Sequence, residues 1–129
     1  MPRLRRGICL LTLRSLISSV SQMFYLQYIL HYYFLLQVMN NDKPVIVNFH
    51  AEWCEPCKIL TPKLKELIEP LHNLDLAVVD VEDNAELVHA FEVKAVPAVI
   101  AIKNGLIVDK FIGLVDADMI KNLIDRIQY

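Results

Sequence analysis

Two cysteines separated by two residues, Cys54-Glu55-Pro56-Cys57, are the side chains of this chain best placed to do chemistry. At the first turn of a helix that follows a strand, this spacing brings the sulfurs within disulfide distance, so the pair can cycle between dithiol and disulfide. Unpaired N–H groups and the positive end of the helix dipole favour a thiolate at the leading position. Cys54 is therefore the candidate nucleophile. Cys57, one turn further in and more buried, keeps its proton until it is needed to resolve a mixed disulfide. A zinc site would require a second pair of ligands. His50, His72 and His89 are scattered, with no H-x-x-x-H and no second C-x-x-C, so no metal is expected. Trp53 could pack in the core, but beside a reactive thiol it serves equally well as a flat docking wall. His50 reads as a satisfied core histidine and not as a base.

These thiols need a strand before them and a helix after them, and the flanking pattern supplies both. Residues 43–49 form a short β-branched apolar run entered through Pro44, as a buried strand is. Leu60, Leu64, Leu67, Ile68 and Leu71 then recur at helical spacing, which predicts one buried helix face, with a kink at Pro62 and an end at Pro70. A second buried strand is predicted over residues 75–81, and a short helix over 85–91 with Asn84 as its N-cap. The runs 98–103 and 106–112 are joined by Asn104-Gly105, the strongest short-range hairpin signal. Asp116 is placed to cap a last helix, whose buried face is Ile120, Leu123, Ile124 and Ile127. The order predicts an α/β fold: a central mixed sheet with a parallel part and an antiparallel hairpin, with helices on both faces.

The chain has 129 residues, of which 55% are hydrophobic and 22% charged, enough for one domain with a core. Its 3 cysteines are too few for a disulfide-dense secreted scaffold. Residues 1–41 carry Arg3, Arg5, Arg6 and Arg14 and no acid. Of the chain's 13 basic and 15 acidic residues, the remainder therefore holds nine basic against all fifteen acidic. An acidic globular part does not suit nucleic acid, which selects a basic face.

Val47-Asn48-Phe49-His50-Ala51-Glu52-Trp53-Cys54-Glu55-Pro56-Cys57-Lys58, then Ala95-Val96-Pro97-Ala98, Lys103-Asn104-Gly105 and Phe111-Ile112-Gly113, resemble the thioredoxin family over residues 43–127, most of all its mitochondrial branch. The resemblance implies the thioredoxin fold, Cys54 as the attacking cysteine and Cys57 as the resolving one. It also implies a cis-proline at Pro97, whose neighbour Val96 offers its backbone to a substrate chain, and a glycine at Gly113 that lets that chain approach. Trp53 and Pro56 complete the docking surface. Three features depart from the pattern. The family's opening strand and helix are not recognisable in residues 1–42, unless residues 23–41 supply a degenerate version. Glu55 replaces the usual glycine and sets a carboxylate against the thiolate. Asn48 and Val78 stand where the family has a buried Asp and its Lys partner. Asn48, Glu55 and Val78 are therefore expected to tune the site, and Asn48 itself to cost no stability.

Residues 1–22 have the composition of an organelle transit peptide, rich in Arg and Ser and lacking acids. The chain is thus divided into an N-terminal segment, 1–41, and a thioredoxin domain, 42–129. From Ser15 to Met39 there is no charged residue, a length that could span a bilayer. Its serines, glutamines and His31 lower its apolarity, and a helix near 24–40 packed on the domain is preferred. Cys9 reads as an inert small hydrophobe of the presequence. The resemblance implies a protein-disulfide reductase that binds no cofactor and takes reducing equivalents from NADPH through a separate thioredoxin reductase. Its clients would be disulfide-bearing proteins such as peroxiredoxins, and its location the mitochondrial matrix, with the cytoplasm as the alternative. Rival readings are a non-catalytic interaction module, and a disulfide isomerase or oxidase of an oxidising compartment.

Overall fold

The computed structural model describes residues 8–9 and 31–128, so the expectations placed on residues 1–7 and 10–30 lie outside the described residues. Strand β1 is Ile8–Cys9, and a helix, α1, is described over residues 31–39. There follow β2 (Val45–His50), α2 (Glu55–Ile68), β3 (Asp75–Asp80), α3 (Ala85–Ala90), β4 (Ala98–Lys103), β5 (Leu106–Ile112) and α4 (Ala117–Gln128). The sheet order is β1-β3-β2-β4-β5. β1 and β2 run parallel to β3, whereas β4 is antiparallel to both β2 and β5.

Alternation along the central strands assigns the two faces. Val45, Val47 and Phe49 of β2 point to one side with Ala77, Val79, Ala98, Ile100 and Ile102, under Phe34 and Val38 of α1 and Leu87 of α3. Ile46 points to the other side with Leu76, Val78, Val99 and Ala101, under Leu60, Leu64 and Ile68 of α2 and the four apolar positions of α4. β2 and β3 are buried on both faces, which is why they read as continuous apolar runs.

Most local expectations hold. Asn104 and Gly105 both have positive φ, 54° and 75°, as a two-residue hairpin turn requires. Met119 N–H donates to Asp116 Oδ1 at 2.8 Å, so Asp116 caps α4. The apolar helix expected before the domain packs on its core through Phe34 and Val38. α2 runs as a single helix through Pro62, its buried face on the sheet outweighing the one backbone donor that proline removes. Two expectations are corrected. Asn84 occupies the N-cap position of α3 but makes no side-chain cap. Its Nδ2 donates to Asp80 O and its Oδ1 accepts from His31 Nε2, so the amide ties α1 to the end of β3. The opening strand lies at Ile8–Cys9, upstream of the window 23–41, with Ile8 opposite Ala77 and Cys9 opposite Val78.

Candidate active site

β2, the central strand, ends at His50, and a tight turn at Ala51-Trp53, closed by Cys54 N–H on Ala51 O, starts α2. Cys54 is the N-cap of α2, Glu55 and Pro56 open its first turn, and Cys57 completes it. Cys54 and Cys57 are joined as a disulfide, with Cα atoms 5.3 Å apart. Cys54 Sγ also accepts the Cys57 N–H at 3.3 Å, a contact that favours negative charge on this sulfur once the pair is reduced. The expected contrast in burial is slight. Cys54 is 4% exposed and Cys57 2%; with Ala51 they form a buried cluster against which Val81 from beyond β3 and Val96 from the loop before β4 pack.

The Val96–Pro97 peptide is cis. Pro97 O accepts the Gly113 N–H at 2.8 Å, so two docking positions named from sequence, sixteen residues apart, form one ridge. Gly113 has φ 95°, and nothing lies within 4 Å of the position a Cβ would take. The glycine is therefore required by its own backbone conformation, and the space in front of it is open. Trp53 is 66% exposed and its Nε1–H donates to Glu82 Oε1 at 2.6 Å. It is thus a surface wall held at a fixed angle, and Glu82 is a site residue that sequence reasoning missed. No local signal connects positions 29 residues apart.

The three tuning positions behave differently. Glu55 points to solvent and accepts a hydrogen bond from Lys58 Nζ at 2.9 Å, so its charge is paired and its effect on the cysteines screened. Asn48 and Val78 are direct register partners on β2 and β3, both buried. Asn48 Nδ2 donates to Thr61 Oγ1 at 2.8 Å, but Asn48 Oδ1 has no hydrogen-bond partner among the described residues. A buried carbonyl left unpaired is destabilising by about 1–3 kcal/mol, which bears directly on the expectation that Asn48 costs no stability. Thr61 was not singled out from sequence; its spacing of four from Cys57 was the available signal. His50 is half-buried and, instead of sitting in the core, lines a cleft of about 540 Å³ with Glu52, Cys57, Lys58, Thr61 and Pro62. Among the described residues no group of three or more His, Cys, Asp or Glu could hold a metal ion, and no helix is long and apolar enough to cross a membrane.

The thioredoxin family model matches residues 28–126. Mitochondrial thioredoxin of Mus musculus is 45% identical over 92 residues, which is 70% of this chain and 55% of that protein. The chain thus matches little more than half the length of the curated mitochondrial relatives. Among solved structures, mitochondrial thioredoxin 3 of Saccharomyces cerevisiae, in its oxidised form, superposes with TM-score 0.66 at 27% identity, covering 74% of this chain and 88% of that one. A chain from the work on thiol resolution in yeast mitochondrial 1-Cys peroxiredoxin via glutathione/thioredoxin systems gives TM-score 0.67 at 25% identity, with the same two coverages.

Proposed function

The chain belongs to the thioredoxin family, and from that premise we propose that it is a protein-disulfide reductase working by dithiol–disulfide exchange. Cys54, as thiolate, attacks one sulfur of a client disulfide and expels the other. Cys57 then attacks Cys54 in the mixed disulfide, releasing the reduced client and leaving the Cys54–Cys57 disulfide. The observation that carries this reading is the sulfur pair at the N-terminus of α2, with Val96 packed against it and the adjoining Pro97 tied to Gly113. The client chain lies along that ridge, meeting Val96 through its backbone, with Trp53 and Pro56 as the facing wall. Purified protein should reduce insulin with dithiothreitol as electron source. Cys57→Ser should accumulate covalent adducts in a cell extract that dithiothreitol releases, and Cys54→Ser should form none. Absence of reducible adducts with Cys57→Ser refutes the two-step exchange.

Each turnover leaves a disulfide that must be reduced again, and the sequence has no Gly-rich dinucleotide loop with which to draw on NADPH directly. The proposed partner is a separate NADPH-dependent thioredoxin reductase. Peroxiredoxins are proposed clients, a reading supported by the neighbour from the 1-Cys peroxiredoxin work. Mitochondrial relatives and the arginine-rich, acid-free residues 1–22 support action in the mitochondrial matrix, with residues 1–41 as an N-terminal segment of transit peptide plus the apolar helix that packs on the domain, and 42–129 as the thioredoxin domain.

A further inference from the structure

Asn48 lies midway along β2 on the face covered by α2, with none of its surface exposed. One end of its amide is spent on Thr61 Oγ1 and the other has no partner among the described residues. Thr61 stands four residues after Cys57 on the same helix, so their Cβ atoms are about 5–6 Å apart on one face. Both residues line the same cleft. Because Thr61 Oγ1 accepts from the amide, its own O–H is left to donate, and a hydroxyl that already accepts a hydrogen bond is polarised to donate a stronger one.

We propose that Thr61 is a positioning residue for Cys57, its hydroxyl held by Asn48 so that it donates to the Cys57 sulfur as that sulfur becomes a thiolate. The assignment rests on the exchange reaction proposed above and names what supports its second step in a site whose buried side chain is neutral. In that step the Cys57 S–H proton passes to solvent water through the cleft. The electron pair left on Cys57 sulfur forms the bond to Cys54 Sγ. The bond between Cys54 and the client sulfur breaks with its pair on the client, which takes a proton from solvent. The two cysteines together lose two electrons and the client disulfide gains them. Thr61 keeps its proton throughout and stabilises the charged sulfur by one hydrogen bond. The alternative is structural: helical threonines also return their hydroxyl to the carbonyl one turn back, here that of Cys57, which leaves the thiol unaffected.

The test is the pH profile of Cys57 alkylation by iodoacetamide in the full chain carrying Cys54→Ser, read at the Cys57 peptide by mass spectrometry. In this background Thr61→Val should move the profile up by about one pH unit, a roughly tenfold loss of thiolate at fixed pH. Thr61→Ser should restore it. Thr61→Val with Asn48→Leu, which removes both polar partners and leaves no amide unpaired, should show the same shift and guards against a folding defect in the single variant. The other ionisable groups around the thiol are unchanged in every variant: Glu55 and Lys58 on α2, His50 and Glu52 after β2, Asp80 and Glu82 at the end of β3, and Lys94 before Val96. A profile unmoved by both valine-containing variants, or moved as far by serine as by valine, overturns the assignment. Failure of the unmodified chain to reduce insulin would overturn the exchange reading instead, and the two results are independent.

Discussion

Replacing Asn48 by aspartate places a carboxyl at a position with no solvent exposure, between Val78 on β3 and Val99 on β4. One oxygen can accept from the Thr61 hydroxyl, which already lies within hydrogen-bond distance of the amide it replaces. The other inherits the place of Asn48 Oδ1, where the described residues offer no donor. Burial with one of its hydrogen bonds made should raise the carboxyl by about 2–3 pH units above its unfolded value near 3.9, equivalent to roughly 3–4 kcal/mol. The sign follows from proton binding. The folded state holds the proton more tightly than the unfolded one, so stability falls as pH rises from about 4 and levels off above the folded value. Urea unfolding of Asn48→Asp should therefore match the unmodified protein near pH 4 and fall about 3–4 kcal/mol below it at pH 8. Adding Val78→Lys at the register partner should recover about 1–2 kcal/mol at pH 8, with a non-zero coupling in the double-mutant cycle. An equal loss at both pH values, or no coupling between positions 48 and 78, would refute the reasoning.

Three further changes probe other parts of the molecule. Gly113→Ala should lower stability by about 1–2 kcal/mol in urea unfolding, since φ of 95° is strained for any side chain; an unchanged urea midpoint would contradict this. His31→Leu should cost about 1–3 kcal/mol by depriving buried Asn84 Oδ1 of its donor at 2.9 Å, and an unchanged thermal midpoint would show that this contact does not hold α1 to the domain. Residues 1–22 fused to a fluorescent protein should enter mitochondria, and changing Arg3, Arg5, Arg6 and Arg14 together to Gln should abolish import; cytosolic fluorescence of the unmodified fusion would count against the targeting role.

Much of this protein is set by short-range pattern. The two-residue spacing of Cys54 and Cys57, the Asn104-Gly105 turn with both φ values positive, the Asp116 cap and the four apolar positions of α4 are each decided by neighbours within a few residues, and each is legible in the chain itself. The strand–helix order follows from the same local periodicities. Contacts between distant segments were not legible, because a hydrogen bond between side chains 13, 29 or 53 residues apart leaves no mark on the spacing around either partner. Glu82 fixes the angle of Trp53, Thr61 engages Asn48, and Asn84 gives up its expected cap to hold His31, each because the packed sheet brings the partners together. Burial also redistributed roles that the family resemblance had assigned. Glu55 is turned outward to Lys58, where solvent screens it. Asn48, marked in the sequence only as a departure from the family's buried Asp, has an oxygen without a partner among the described residues because α2 closes over it.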